Sequence, residues 1–310
     1  MKQLGRQLKP FLRWIILGGT LFFLLSVLKR NWQEVLAIRL EGADWALLAI
    51  ALGVTLVAHV WAGWVWSWML RDFQQPIDPI WTIQAYLKTN IAKYLPGNVW
   101  HYYGRITAAT RAGASLEVAT VSVLLEPILM AAAALLVTLL SSQQIAAQFG
   151  WPYLILQWVA LVAVLTAIQP RILNPLLHRL RQVKQTIQGA AIEPEQEFQL
   201  KTYPWQPLLG EMGFLILRGV GFLLTFLAIS PLTPGQLPLL FSSFSLAWLL
   251  GMVVPGAPGG LGVFEVVAIA LLRTGFSTGT VLGVAALYRL VSILSEAIGA
   301  GTAWLDERQI

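Results

Sequence analysis

The chain has 310 residues, of which 57% are hydrophobic and 12% charged, and it carries a net charge of +6 with no cysteine. A soluble domain of average composition has about 25% charged residues, so this composition excludes an ordinary soluble protein. The lack of cysteine excludes disulfides, thiolate catalysis and cysteine-based metal sites. The three histidines are too scattered to form a cluster. We therefore predict neither a metal nor a cofactor.

Long apolar stretches predict six membrane-spanning helices, because about 20 residues are needed to cross a bilayer. They cover about 14–28, 45–70, 116–140, 151–169, 207–230 and 278–304, and the uncharged segment 141–150 is predicted to be a turn. The first stretch follows four basic residues but lacks a small-residue cleavage site, which favours a short helix over a signal peptide. The chain is thus predicted to be a polytopic membrane protein.

The segment 170–206 is predicted to be a cytoplasmic amphipathic loop. Between Ile172 and Ile187, apolar residues recur at three- and four-residue spacing opposite Arg179, Arg181 and Lys184. This pattern is typical of a helix that lies on anionic lipid.

Two segments are interrupted by proline and glycine, at residues 95–98 and 254–260. At an offset of 162, six of the twenty positions in 96–115 are identical to their counterparts in 258–277. We predict that both segments are re-entrant helical hairpins within repeat elements 79–140 and 238–304; the alternative is that each segment crosses the membrane twice. Because three predicted helices separate the copies, their orientations should be opposite, as in the inverted repeats of many transporters.

The resulting fold prediction is an all-α polytopic membrane protein. It has about six full spanning helices plus two Pro-Gly-broken re-entrant hairpins related by an inverted repeat. A single transmembrane domain covers residues 1–310.

The two breaks predict a substrate site. A break within the bilayer persists only when it is buried in protein or lines a wet cavity, and a helix that restarts there directs N–H groups towards an anion. Asn98 is the expected N-cap at one break, and Gly259-Gly260 is its counterpart at the other. A packing kink without function is the alternative. The predicted substrate-binding residues are Lys93, Pro96, Gly97, Asn98, His101, Arg105, Pro258, Gly259, Gly260 and Glu265.

Four more ionisable residues lie within apolar helices, namely Glu126, Arg218, Arg289 and Glu296. Each costs about 2.5–3.5 kcal/mol on insertion scales, so we expect them to form intramembrane charge pairs, with Glu126 bound to Arg218 or Arg289. Purely structural ion pairs are the alternative. His59, alone among tryptophans, is interpreted as interfacial or hydrogen-bonded rather than functional.

Residues 275–279 match the G-x-S-x-G pattern of serine hydrolases, which requires a strand, a turn, a helix and a downstream histidine. No histidine follows His178. Ser115 and Ser277 are therefore predicted to be helix N-caps, and no catalytic residue is predicted.

The residues around both breaks resemble a known family. Lys93-Tyr94-Leu95-Pro96-Gly97-Asn98-Val99-Trp100 and Pro255-Gly256-Ala257-Pro258-Gly259-Gly260-Leu261-Gly262-Val263-Phe264-Glu265 are similar to the two signature segments of the lysylphosphatidylglycerol synthase transmembrane-region family. The resemblance covers about residues 45–304 and implies the flippase-like part of such proteins. We expect the aminoacyltransferase domain to be absent, because six residues follow Trp304.

The resemblance implies a lipid substrate, and the repeat and breaks suggest the mechanism. The leading hypothesis is a lipid flippase or transporter that moves a phospholipid or polyprenyl-type headgroup through a central polar cavity. The alternatives are a secondary transporter of a small anionic solute and an intramembrane lipid-modifying enzyme. The enzyme is disfavoured because no His/Asp/Ser or metal constellation is found. Expected partners are membrane lipids, a second copy of the chain and a separate lipid-synthesising enzyme, without nucleic acid.

Charge asymmetry predicts the orientation in a bacterial-type plasma (inner) membrane. With a cytoplasmic amino end, 15 basic residues fall in inside segments and 4 in outside segments, so both termini are predicted to be cytoplasmic. A reporter that is active only in the periplasm should give no signal when it is fused to the carboxyl end. A strong signal would contradict the inverted repeat.

Overall fold

The computed structural model describes residues 29, 39–75, 77–95, 99–175, 200–254 and 258–307. All regular elements in these ranges are helical. The α-helices are α1 (Gly42–Asp72), α2 (Pro79–Asn90), α3 (Trp100–Arg111), α4 (Leu116–Thr138), α5 (Ser142–Phe149), α6 (Trp151–Ala167), α7 (Trp205–Leu227), α8 (Leu237–Val253), α9 (Val263–Leu272) and α10 (Thr278–Glu307). Short 3-10 turns cover Ile91–Tyr94, Leu139–Ser141, Pro234–Gln236 and Pro258–Gly260. The predicted first helix and residues 176–199 of the amphipathic loop lie outside the described residues.

Five described segments are long and apolar enough to cross a membrane, so the chain is a multi-pass membrane protein. They are Gly42–Asp72, Leu116–Phe149, Trp205–Leu227, Pro234–Val253 and Thr278–Asp306. Four of them coincide with predicted spanning helices, whereas Pro234–Val253 lies in a segment predicted to be a re-entrant hairpin. The predicted fourth helix is α6, whose 17 residues place it at the lower limit for crossing a bilayer.

The segment 141–150 is helical, so the predicted turn is wrong. Helix α5 contains glutamine and alanine, which favour helix, and neither glycine nor proline. It ends at Gly150, whose φ of 86° is a conformation that favours glycine.

Corresponding elements follow the two Pro-Gly breaks. A short helix, α3 or α9, leads in each case to a long helix, α4 or α10. The long helices begin at Leu116 and Thr278, which the offset of 162 relates. The Ser115 hydroxyl accepts a hydrogen bond from the Val118 N–H (3.2 Å), and that of Ser277 accepts one from the Thr280 N–H (3.2 Å). Both predicted N-caps are confirmed.

Helix α1 lies at the centre of the packing. The side chain of Trp61 donates to the carbonyl of Gly210 in α7 at 2.7 Å, and α1 also packs closely against α2. A Cβ atom at Gly63 would lie 2.7 Å from the Cα of Ile83, so only glycine permits this approach. Because α1 is enclosed on several sides, one face of this apolar helix can carry polar side chains into the protein.

Replacing Gly63 should therefore destabilise the fold. Gly63→Ala places a methyl group against backbone of α2, and overpacking of this kind costs about 1–3 kcal/mol. Gly53→Ala is the matched control, because nothing lies within 4 Å of a Cβ atom at that position of the same helix. Thermal unfolding of the purified protein in detergent should show a lower midpoint for Gly63→Ala alone. Equal midpoints would contradict the close packing of α1 and α2.

Candidate functional site

A cavity of about 140 Å³ lies among the described helices. Its walls come from α1, α2, α3, α4, α7, α8, α9 and α10 and from the 3-10 turns beside both breaks. The predicted site residues that line it are Lys93, His101, Arg105, Gly259, Gly260, Glu126, Arg218, Arg289 and Glu296. Glu265 binds one of them, Arg289. Pro96, Gly97, Asn98 and the side chain of Pro258 lie outside the described part of the structure.

Tyr94, beside the first break, packs against the second break. Gly259 has a φ of 58°, and a Cβ atom there would lie 2.9 Å from the Cε1 atom of Tyr94, beside the first break. Gly260 has a φ of 72°, and its Cβ atom would lie 3.1 Å from the Cα of Gly251. Side chains other than hydrogen are therefore strained at both positions, where the space is filled by the ring of Tyr94 and by the backbone of α8.

The first buried ion pair joins Arg105 of α3 to Glu126 of α4. Both side chains are almost fully buried. The hydroxyl of Tyr86 in α2 also donates to Glu126, at 2.9 Å, and the guanidinium lies 4.0 Å from the centre of the Tyr86 ring. Three helices are thus held together by one carboxylate and one cation.

The second pair crosses between the two predicted repeat elements. The ammonium of Lys93 lies 2.6 Å from an oxygen of Glu296, which is buried in α10. The Nε2 atom of His59 lies 3.2 Å from the same oxygen, and the side chain of Asn90 is 3.4 Å from the Nδ1 atom of that histidine. Lys93 and Tyr94 therefore both connect the first break to the second half of the chain.

The third pair closes the amino end of α9. Arg289 lies 2.8 Å from Glu265, whose other oxygen accepts the N–H of Gly262 at 2.7 Å. Gly262 is the N-cap of α9, and a glutamate three residues later is well placed to bind the N-cap N–H. Part of this helix end is thus occupied by the chain's own carboxylate. The N–H of Gly262 is therefore satisfied by the chain itself, and the N-cap is Gly262 rather than Gly259-Gly260.

The start of α3 also differs from the prediction. Its N-cap is Val99 rather than Asn98, and no side chain caps it. Asn98 itself is outside the described residues. The positive charge that lines the cavity therefore comes from basic side chains rather than from a capped helix end.

Arg218 is the fourth basic residue in this network. Among the described residues it forms no ion pair with a carboxylate, so the predicted pairing of Glu126 with Arg218 or Arg289 is wrong. Its Nη1 atom lies 3.3 Å from the Nε2 atom of His59, and its guanidinium is 5.2 Å from the centre of the Tyr288 ring. The buried Nε atom has no acceptor among the described residues. Lys93, Arg105 and Arg289 are each paired with a carboxylate, whereas Arg218 has no such partner among the described residues.

Sequence reasoning missed two features of the network. His59 was expected to be interfacial or hydrogen-bonded; it is buried, so the interfacial interpretation is wrong and the hydrogen-bonded one is confirmed. Thr55, His59 and Ser67 recur at multiples of four residues and are all buried, which marks the inward face of α1. On α7, Glu211 and Arg218 are separated by seven residues and are both buried. Glu211, like Arg218, is an ionisable residue within an apolar helix, but it is not among the predicted site residues.

Metal binding was also considered for the described residues. No group of three His, Cys, Asp or Glu side chains within the described ranges is placed to hold a metal ion.

Comparison with known proteins identifies the family. The model of the lysylphosphatidylglycerol synthase transmembrane region matches residues 11–299, so the chain belongs to this family. The chain is also 34% identical over 110 residues to an uncharacterized protein of Synechocystis sp.. That match covers 34% of this chain and 33% of the relative's length. The family supports a lipid-related role in the membrane.

The Arg105–Glu126 pair gives a prediction about stability. Arg105→Met leaves Glu126 buried without its cation, and loss of one partner of a buried pair costs about 3–5 kcal/mol. The double variant Arg105→Met/Glu126→Met removes both charges and should recover most of that loss. Thermal unfolding of the native protein, Arg105→Met, Glu126→Met and the double variant in detergent measures this. If the double variant loses as much stability as both single variants together, direct pairing is contradicted.

Proposed function

We propose that this member of the lysylphosphatidylglycerol synthase transmembrane-region family is a lipid transporter that moves a phospholipid or polyprenyl-type headgroup across the membrane through the charged cavity. One observation carries the proposal. Arg218 is 5% exposed, lines the cavity and has no carboxylate partner among the described residues. A cation buried at membrane depth is costly unless an anion neutralises it.

The chemistry of a lipid phosphate fits this position. A phosphodiester carries one negative charge, which would balance the excess charge of Arg218, and a guanidinium can bind two phosphate oxygens at once. Phe214 and Trp248 supply apolar walls beside the cation. The other three basic residues are bound to carboxylates. They contribute to the electrostatic potential of the cavity, whereas Arg218 binds the ligand.

The contacts between the two halves support a mechanism of alternating access. In our proposal the elements 79–140 and 238–304 form an inverted repeat of re-entrant segments and rock against each other around the cavity, as in other repeat-built transporters. Lys93–Glu296 joins the two elements, and Tyr94 packs on Gly259. By contrast, Arg105–Glu126 and Glu265–Arg289 each lie within one element. The cross-element contacts are the ones that must break during transport.

The proposed setting is a bacterial-type plasma membrane with both termini in the cytoplasm. The chain would act there as a transporter rather than an enzyme, on a lipid supplied by a separate lipid-synthesising enzyme. A secondary transporter of a small anionic solute would use the same cation, so the test must distinguish a lipid from a free anion.

The test uses purified protein reconstituted in liposomes that contain fluorescent phosphatidylglycerol, with translocation followed by chemical quenching of the outer leaflet. Arg218→Gln should abolish translocation, and Arg218→Lys should retain part of it because the charge remains without bidentate geometry. Gly259→Val should also abolish it, because Tyr94 and the positive φ leave no room for the side chain. Arg105→Gln should weaken transport and Arg105→Lys should retain part of it.

Ser277→Ala is the matched control, since it removes a helix cap and the contact with the Thr280 hydroxyl, and loss of the cap should cost at most about 0.5–2 kcal/mol of stability. Thermal stability is measured for each variant. Uptake of radiolabelled phosphate without lipid translocation would identify a solute transporter. Loss of activity in Ser277→Ala, with a stable fold and an active Gly259→Val variant, would overturn the transport proposal and favour serine chemistry.

A further inference from the structure

Glu211 is a buried carboxyl group that the transport proposal does not use. It lies on α7, its exposed fraction is 0%, and neither carboxyl oxygen has a hydrogen-bond partner among the described residues. A carboxylate removed from water without donors or a cation of its own is strongly destabilised. Some chemical feature must therefore compensate for its burial.

The surroundings of Glu211 contain one cation and a second carboxyl group. Glu211 interacts electrostatically with Glu126 and Arg105, and Tyr86 lies near the same cluster. Arg105 is bound to Glu126, which also accepts the Tyr86 hydroxyl. One guanidinium is thus within electrostatic range of two carboxyl groups, and of these only Glu126 receives its hydrogen bond.

The other helices that pack against α7 direct their ionisable groups elsewhere. On α1, His59 binds Glu296 of α10, and Arg71 donates to Gln206 at 3.2 Å. The Tyr288 hydroxyl of α10 donates to the carbonyl of Arg218. Helix α8 contains no ionisable residue. Among the described residues, no side chain donates a hydrogen bond to Glu211 or forms an ion pair with it.

We propose that Glu211 is a proton-binding site, and that Glu126 and Glu211 form a carboxyl pair which holds one proton in the described state. Two carboxylates beside one guanidinium would leave an uncompensated buried negative charge, and a carboxyl group beside a like charge keeps its proton. The proton resides on Glu211, because Arg105 and Tyr86 both stabilise the ionised form of Glu126.

Protonation of Glu211 sets the charge that an anion meets in the cavity. With the proton bound, the four basic residues of the network face three carboxylates, and with the proton released they face four. Anion binding and protonation therefore favour each other, and this linkage is reciprocal. The linkage rests on the proposed transport function, whereas the proton site does not.

Infrared spectroscopy tests the proton site directly. The purified protein in an ester-free detergent at neutral pH should show the carbonyl stretch of a protonated carboxylic acid, and Glu211→Gln should remove that band. Glu296→Gln is the matched control. It also replaces a buried glutamate, but one that binds Lys93 at 2.6 Å, so the band should remain. Glutamine has the shape of the neutral acid, so the Glu211 variant should fold.

Absence of the band in the native protein overturns the proposal without any variant. Loss of the band in Glu126→Gln but not in Glu211→Gln would overturn the assignment to Glu211. The linkage is tested in liposomes containing fluorescent phosphatidylglycerol, where a pH gradient should change the native translocation rate and leave that of Glu211→Gln unchanged. If the native translocation rate does not change with the pH gradient, the linkage is overturned but the proton site is not. A band without any translocation leaves the proton site intact and overturns the proposed function.

Discussion

The structure depends on one constraint, which is that a charge inside a bilayer must be neutralised within the protein. The described network meets this requirement with three ion pairs, each of which joins different helices. Arg105–Glu126 connects α3 to α4, Glu265–Arg289 connects α9 to α10, and Lys93–Glu296 connects the first break to α10. Inside the bilayer, water cannot take the place of either partner, so each pair must form. The pairs therefore also determine the positions of the helices around the cavity.

The irregular backbone at the two breaks follows the same logic. Backbone that leaves the helical conformation at membrane depth must be covered by protein or line a cavity. Here Tyr94, beside the first break, lies against Gly259 of the second, and Gly260 lies against Gly251 of α8. The close approach requires glycine, and it brings cationic and aromatic side chains from both halves of the chain to one place. The residues required for this packing therefore also line the cavity.

Two buried ionisable groups, one basic and one acidic, are not paired in this way. Among the described residues, Arg218 has no carboxylate partner and Glu211 has no hydrogen-bond donor. Both lie on α7 and both are buried. Unsatisfied polar groups are rare in folded proteins and call for an explanation at each occurrence. An anionic ligand would satisfy the first and a proton the second, which is why the two proposals concern one helix.

Local features of the chain were accessible from its amino-acid pattern. Apolar length placed α1, α4, α7 and α10, because crossing a bilayer needs a nearly fixed number of apolar residues. Hydroxyl side chains marked the starts of α4 and α10, and the offset of 162 related the two breaks and their following helices. The residues that line the cavity could be proposed because ionisable groups in apolar helices must face inward. Short segments of mixed polarity were predicted less accurately, since residues 142–149 form a helix rather than the predicted turn.

The partners within the network were decided only by the folded structure. Arg105 binds Glu126, 21 residues away, while Arg218 in the same cavity binds no described carboxylate. Sequence spacing fixes the face of a helix on which a residue lies, but not how that helix is rotated or shifted against its neighbours. Those rotations result from packing of the whole bundle, including the contact of α1 with α2 at Gly63. A displacement of a few ångströms there is enough to exchange one ion-pair partner for another, because ion pairs form only at short range.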